Sequence, residues 1–341
     1  MRSIVRIRQN ALHFFSIVAV AAGFAASTSA QSAPIVMKLG TATVNDTQHQ
    51  WLKTYAALVD KNSKGQIKAE VYPSSQLGSI PREIEGTQFG SIQGWVGPPD
   101  FLSGVDSRYE VLGAPGVFKD VAHASRTLQD PEFNKAFLAL GANKGLIGVA
   151  VFPYGAFGFN TKKPVHKLAD LKGMKIRVTA SDMQMKPVRL LGASPVPMTL
   201  GDVAPALQQG TIDGQMVGSP LLAPMHFYDV AKYMFATDQS MVTSIAVISK
   251  TWYDKLPANL QKVVIDSAKQ ATRDTSKWTL DFIAEQSKLW VKDGGQMNKP
   301  TAAEHAQLMK MMRPVGAEVT AGKPEEKALY ELLLKAAKRH E

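Results

Sequence analysis

The sequence contains no cysteine among its 341 residues. This absence excludes disulfide frameworks, thiolate nucleophiles, and zinc or iron–sulfur sites with cysteine ligands. Aromatic residues make up 8% of the chain and charged residues 20%, whereas hydrophobic residues reach 45%, which predicts a folded globular protein. The length favours two domains, because single hydrophobic cores stop growing at about 250 to 300 residues.

Motifs of catalysis and metal binding are also missing. The sequence has no G-x-S-x-G, H-E-x-x-H, P-loop or EF-hand pattern, and its seven histidines are too far apart to form a metal pair on one helix. We therefore expect no metal and no cofactor. Beyond the N-terminus, no apolar run approaches the roughly 20 residues that a membrane span needs.

The first thirty residues have the organisation of a secretory signal. Arg2, Arg6 and Arg8 precede an uncharged apolar stretch at 11–22, and small residues end this segment at Ala30. This order predicts a signal peptide over 1–30, cleavage near Ala30 and export across the cytoplasmic membrane. The apolar stretch is too short for a membrane anchor.

Removal of the signal leaves 36 basic and 29 acidic residues, a net charge of +7. The densest basic clusters, at 162–163, 172–175 and 335–339, lack the interleaved aromatic residues of a nucleic-acid platform. We expect no nucleic-acid partner.

From residue 35 the chain alternates β-like and helical patterns. Predicted strands lie at 35–39, 66–72, 91–96, 146–152, 157–160, 174–178, around 196, near 217 and at 241–248, the last being the longest. Predicted helices lie at 48–59, 81–89, 133–140, 183–191 and, capped by Asp202, up to 209. This alternation predicts an α/β fold with mixed sheets flanked by helices.

The C-terminal third is helical. Apolar or small residues recur on one helical face at Leu260, Val264, Ala268, Ala271, Trp278, Phe282 and Leu289. They predict a long helix over 258–291, about 45 Å for 30 residues, which exceeds the diameter of one small domain and must span two. Shorter helices at 302–312 and 324–338 complete a C-terminal helical region over 300–341.

The strand at 174–178 carries a cation. Ile176 and Val178 point to one face and Arg177 to the other, so that a buried strand directs an arginine inward or toward a cleft. The planar guanidinium suits a carboxylate because it donates two parallel hydrogen bonds. This run alone favours a salt bridge with a protein carboxylate.

An ordered set of segments resembles a known family. The segments 72–78 (YPSSQLG), 169–178 (ADLKGMKIRV), 192–198 (GASPVPM) and 206–215 (ALQQGTIDGQ) are similar to those of the extracytoplasmic solute-binding subunits of TRAP transporters, DctP type. The similarity extends from about 36 to 289. Four motifs in the same order and at similar spacing are far more specific than any one of them.

The resemblance implies a two-lobe periplasmic binding protein that closes on an organic acid. Lobe I would comprise 31–155 with later segments crossing back at about 241–290, and lobe II would comprise 156–240. The resemblance also implies a binding protein, no enzyme, that docks on membrane permease subunits. We expect it to be a monomer. Arg177 occupies the place of the arginine that holds the ligand carboxylate, and this reverses the salt-bridge interpretation.

Departures from the family pattern concern the ligand. Phe157 stands where members that bind very polar acids carry a second arginine, and Val217 stands near the place of a common asparagine. Trp95 is expected as a stacking surface and Gln215 as a hydrogen-bonding group, although Phe157 and Trp95 equally suit core packing. An apolar cleft around Arg177 predicts a monocarboxylate with an aromatic or branched aliphatic body.

Two other functions remain open at this point. A secreted enzyme acting on organic acids would use carboxylates such as Glu83, Asp202 or Asp213 as acid or base, but nothing in the sequence places a pair of them together. A binding subunit that serves a sensor kinase would show the same sequence features as one that serves a permease.

Overall fold

The computed structural model describes residues 33–341, so the predicted signal peptide and its cleavage point lie outside the described residues. Within residues 33–341, no helix combines the length and the apolarity that a membrane crossing requires.

The described chain contains ten strands and eleven α-helices, joined by short 3-10 turns. The strands are β1 Ile35–Thr41, β2 Ile67–Tyr72, β3 Gly94–Gly97, β4 Leu146–Thr161, β5 Lys175–Val178, β6 Ser194–Pro197, β7 Gly214–Gly218, β8 Tyr233–Phe235, β9 Met241–Ser249 and β10 Gln296–Asn298. The helices are α1 Thr47–Asn62, α2 Ile80–Phe89, α3 Val121–Leu128, α4 Pro131–Leu138, α5 Asp182–Leu190, α6 Val203–Gln209, α7 Lys250–Tyr253, α8 Ala258–Lys292, α9 Ala302–Met312, α10 Val315–Thr320 and α11 Pro324–Arg339.

The strands pair in the order β2-β1-β3-β9-β4-β7-β5-β6, and β8 joins β4 to β10. Pairing is parallel among β1, β2 and β3 and among β5, β6 and β7, whereas β9 is antiparallel to β3 and β4. Helices flank the strands, which confirms the predicted α/β class with mixed sheets.

Strand β4 belongs to two sheets. Its residues up to Ala156 pair with β9, and its residues from Phe157 pair with β7 and β8. The predicted strands 146–152 and 157–160 are therefore one strand of 16 residues. The expectation that 241–248 is the longest strand is wrong. Pro153 and Gly155 suggest that a strand ends between them and another begins. In the structure they mark a shift of register within a continuous strand.

Two helical details differ from expectation. Asp202 occupies the N-cap position of α6, but its side chain makes no capping bond and accepts the Thr199 hydroxyl at 2.7 Å instead. Helix α3 was not predicted; its N-cap Asp120 accepts the His123 amide at 2.7 Å.

The long helix is confirmed and runs for 35 residues, about 52 Å at 1.5 Å per residue. It packs against α1, β4, β10 and the 3-10 turn Ser219–Leu221. The residues predicted to form its buried face are fully buried only in the first half of the helix, at Leu260, Val264, Ala268 and Ala271.

The second half of α8 buries a different set of side chains. Trp278 is 37% exposed and Leu289 is 38% exposed, so the predicted apolar face is wrong there. The buried side chains after Ala271 are those of Thr275, Thr279, Gln286 and Trp290. Measured from Ala271 around a straight helix, Thr275 and Thr279 are rotated by about 40° and 80°, whereas Trp278 is rotated by about 20° in the opposite sense, so the buried face of the second half is turned away from the predicted one.

Candidate functional site

A cavity of about 50 Å³ lies where the ends of β3, β5 and β7 approach one another. Most of its lining is apolar and comes from Ala42, Ile80, Trp95, Val96, Pro98, Phe101, Phe157, Leu200, Met216, Val217, Leu221 and Val242. Within residues 33–341, Arg177 is the one charged residue in the lining, which includes no aspartate, glutamate or histidine.

Arg177 reaches the cavity from β5, the strand between β6 and β7. The residue is only 4% exposed, and its Nε donates to the Met198 carbonyl at 3.0 Å. No carboxylate of the described chain lies within ion-pair distance, and neither Nη atom has a hydrogen-bond partner there. The hydrogen bond from Nε therefore fixes the orientation of the guanidinium, and the two Nη atoms remain available as hydrogen-bond donors.

Burial governs the electrostatics around Arg177. Loss of solvation lowers the pKa of the guanidinium to about 10, against a smaller raising effect from Asp100 and Asp202. Burial also raises the pKa of the Asp100 carboxyl to about 6. Asp100 and Asp202 act on Arg177 from beyond ion-pair distance, so the guanidinium has no direct carboxylate partner within the described chain.

Three polar residues of the lining already have partners in the fold. Gln48 accepts the hydroxyls of Thr41 and Thr43 at 3.1 and 3.2 Å and donates to the Ser244 hydroxyl at 3.0 Å. The Tyr154 hydroxyl donates to Asp46 at 2.7 Å. Each polar side-chain atom of Thr43, Gln48 and Tyr154 therefore has at least one partner in the fold.

Three other lining residues keep buried polar atoms without a partner. One is the Trp95 indole, which lies near Glu83 and lowers the pKa of its carboxyl. The Thr179 hydroxyl and the Gln184 Nε2 are also buried and make no hydrogen bond within the described chain. The Gln184 Oε1 accepts the Thr179 amide at 3.2 Å, which fixes the orientation of the side-chain amide. Both residues belong to the segment that continues β5 into α5.

Four of the five residues singled out in the sequence line the cavity: Arg177, Phe157, Trp95 and Val217. Gln215 does not, because its side chain turns to Asn160 and donates to the Asn160 Oδ1 at 3.1 Å. The sequence analysis missed Thr179 and Gln184. The signal for Thr179 was its place two residues after Arg177, on the same face of an extended segment.

The carboxylates of the enzyme alternative are not assembled. Glu83 is fully buried in α2, Asp202 accepts the Thr199 hydroxyl, and Asp213 accepts the Lys175 amide at 2.8 Å. None of the three lines the cavity. In the described part of the chain, no three histidine, aspartate or glutamate side chains gather as a metal site would require.

A carboxylate from a distant part of the chain caps the helix that follows Arg177. Glu110 accepts the Ser181 hydroxyl at 3.1 Å and the Asp182 amide at 2.9 Å at the start of α5. Ser181, at the N-cap position, makes no capping bond of its own. Burial raises the pKa of Glu110, and these two hydrogen bonds oppose the rise.

Comparisons with known proteins match this architecture. Residues 40–323 match the family described as bacterial extracellular solute-binding protein, family 7 (DctP). The 2,3-diketo-L-gulonate-binding periplasmic protein YiaO of Escherichia coli is 31% identical over 73% of this chain and 76% of its own length. The C4-dicarboxylate-binding periplasmic protein DctP of Rhodobacter capsulatus is 26% identical over 88% of this chain and 91% of its own.

A solved structure extends the match to three dimensions. The TRAP periplasmic solute-binding protein of Desulfovibrio salexigens with bound orotic acid superposes with a TM-score of 0.84 and 27% identity. The match covers 90% of this chain and 99% of that one. The family match over most of the chain, together with the shared fold, shows that this chain belongs to the DctP family of TRAP-type periplasmic solute-binding proteins, which have a two-lobe fold.

Proposed function

We propose that this protein captures an organic monocarboxylate with an aromatic or branched aliphatic body and delivers it, unchanged, to TRAP membrane permease subunits. The observation that carries the proposal is the buried, unpaired Nη end of Arg177 in a cavity that is otherwise mainly apolar.

The charge argument follows from the environment of Arg177. A buried guanidinium without a carboxylate is unfavourable, because burial removes water without supplying another anion. With Nε held by Met198, the two Nη groups point a pair of donors toward one incoming carboxylate. The relatives whose names state a ligand bind acids, among them orotic acid and C4-dicarboxylates.

The lining favours one acid group over two. Arg177 is the one cation in the cavity lining of residues 33–341. By the resemblance described under Sequence analysis, Phe157 and Val217 stand where other members carry polar side chains. A second carboxylate would be buried without a partner, at a cost of about 1 to 3 kcal/mol or more. Burying about 150 Å² of apolar body contributes about 4 kcal/mol at 25 cal/mol per Å².

Closure would bring two lobes together around the acid. In this proposal lobe I comprises 31–155 with 241–290, lobe II comprises 156–240, and β4 and β9 form the crossing strands. The register shift of β4 between Pro153 and Gly155 falls at the boundary between 155 and 156. We further propose that the protein acts as a monomer in the periplasm after cleavage near Ala30.

Calorimetric titration with a panel of carboxylic acids tests whether Arg177 binds the ligand carboxylate. Arg177→Ala should abolish detectable binding of every acid that the wild type binds, and Arg177→Lys, which keeps a charge but loses the fork, should bind more weakly than wild type. Val178→Ala, on the opposite face of β5, is a matched control that should keep the ligand preference. Equal affinities for wild type and Arg177→Ala would refute the role of Arg177.

The same panel tests the ligand class. A dicarboxylate that binds far more tightly than every monocarboxylate would refute the single-acid argument. Mass spectrometry of the tightest ligand after incubation with the protein should recover it unchanged, whereas conversion to a product would indicate an enzyme.

A further inference from the structure

Four polar groups on residues of the cavity lining are left with unmade hydrogen bonds within the described chain. One, the Trp95 Nε1, lies beside the Glu83 carboxyl, whose pKa it lowers. The other three come from the segment 177–184. They are the Nη end of Arg177, the Thr179 hydroxyl and the Gln184 Nε2. All three residues are at most 4% exposed. Such groups cost free energy when they are desolvated and unpaired, so a bound molecule that satisfies all three is favoured over one that satisfies Arg177 alone.

We propose that the ligand carries a hydrogen-bond acceptor on the carbon next to its carboxylate, and that Thr179 and Gln184 bind this acceptor. The ligand class is then a 2-oxo or 2-hydroxy monocarboxylate with an apolar remainder. This inference rests on the proposed function, because it assumes that Arg177 holds the carboxylate.

The local geometry brings the acceptor site beside the carboxylate site. Arg177 and Thr179 are two residues apart on an extended segment, so their side chains leave the same face about 7 Å apart along the chain. The Gln184 side chain extends from α5 to Thr179, where its Oε1 accepts the Thr179 amide at 3.2 Å.

The Gln184 amide is fixed in a donating orientation. Since its oxygen is taken by the Thr179 amide, the NH₂ group points the other way and offers two hydrogens. Its Nε2 makes no hydrogen bond within the described chain, although Gln184 is near enough to Asp100 to lower the pKa of that carboxyl. The hydrogens of Nε2 therefore remain for a ligand acceptor, and the Thr179 hydroxyl can rotate to donate as well.

The rest of the lining limits where polar atoms of the ligand find partners. Thr43, Gln48 and Tyr154 have already engaged their polar atoms in the fold, and the other walls are mainly apolar. An oxygen placed far from the carboxylate would meet these engaged or apolar groups. The open donors therefore specify an oxygen close to the carboxylate.

The test compares acids that differ by one oxygen. Wild-type protein is titrated calorimetrically with 4-methyl-2-oxopentanoate against 4-methylpentanoate, and with phenylpyruvate against 3-phenylpropanoate. We expect the oxo acid of a pair to bind about tenfold more tightly or better, since an unmet buried donor costs on the order of one factor of ten. Thr179→Val and Gln184→Met should each reduce this ratio to about threefold or less by the same reasoning.

Matched controls separate the subsite from the fold. Thr179→Ser retains the hydroxyl and should keep the preference. Thr127→Val and Gln286→Met make the same exchanges at buried polar atoms that lack partners but lie outside the cavity, and they should keep the wild-type ratio. Thermal unfolding of each variant shows whether it is folded.

Two outcomes overturn the inference and are distinguishable. If both acids of each pair bind wild type equally while Arg177→Ala abolishes binding, the acceptor site is refuted and the carboxylate clamp stands. If no acid of the panel binds, both the acceptor site and the proposed function fail. A preference that survives both Thr179→Val and Gln184→Met refutes the assignment to these residues.

Discussion

Glu83 makes the stability of this protein depend on pH in a predictable way. Its side chain is fully buried in α2, and neither carboxyl oxygen has a hydrogen-bond partner within the described chain. A Cβ added at Gly40 would lie 3.0 Å from Glu83 Oε1, which shows how closely the carboxyl packs against β1. Burial raises its pKa from 4.5 to about 7, and the Leu77 amide and the Trp95 indole oppose this rise.

The magnitude follows from proton linkage. Between pH 4.5 and about 7 the unfolded chain has lost the Glu83 proton and the folded chain has kept it, so the free energy of unfolding falls as pH rises. The raised pKa corresponds to about 3 kcal/mol at 1.36 kcal/mol per pKa unit. This contribution is fully present below pH 4.5 and is lost by about pH 8.

Replacement by an uncharged side chain of the same size removes this dependence. Glu83→Gln should gain on the order of 3 kcal/mol relative to wild type between pH 4.5 and pH 8, because glutamine does not ionise. Urea unfolding of both proteins at pH 4.5, 6 and 8, without added ligand, gives the difference directly. The other titrating groups, Asp100 included, are common to both proteins and cancel.

Glu85→Gln on the same helix is the control, since Glu85 is exposed to solvent. Its stability should follow the wild-type curve within about 0.5 kcal/mol, as is usual for surface changes. Parallel curves for Glu83→Gln and wild type across this pH range would refute the reasoning about Glu83.

Three further predictions concern other parts of the molecule. Tyr154→Phe removes the 2.7 Å bond to buried Asp46 and should lower the free energy of unfolding by about 2 kcal/mol in urea, and an unchanged midpoint would contradict this. Glu110→Ala should accelerate amide exchange at Asp182 and ligand release in stopped flow, because a lost helix cap costs about 1 kcal/mol; unchanged exchange would argue against the cap. N-terminal sequencing of the exported protein should begin directly after Ala30, and a product that retains the first thirty residues would contradict the cleavage prediction.

The sequence predicted the elements of the fold better than their continuity. Hydrophobic periodicity located the strands and the long helix because burial of one face leaves a repeating pattern. It failed at Pro153 and Gly155, where residues that often end strands instead shift the register of β4. It also failed at Trp278, because periodicity does not show which face a neighbouring element covers.

The candidate site was predictable where a motif or a charge pointed to it. Arg177 was singled out from its charge on a buried strand and from the family resemblance, and the structure places it in the cavity lining with Phe157, Trp95 and Val217. Thr179 shares a face with Arg177 by its spacing of two residues, but a sequence does not show whether a buried hydroxyl has a partner. Gln215 is the opposite case: the sequence marked it as a ligand-binding residue, but its side-chain amide donates a hydrogen bond to the Asn160 side chain.

The cap that Glu110 provides at the start of α5 has a consequence for ligand release in the proposed function. The carboxylate lies 72 residues before the Asp182 amide that it holds, so the first turn of α5 depends on two remote segments staying together. Gln184 sits in that same turn, and any parting of the segments frays the turn and disorders the amide that faces the cavity. With the proposed acceptor site, loss of the ligand and local unwinding of the helix start would be coupled.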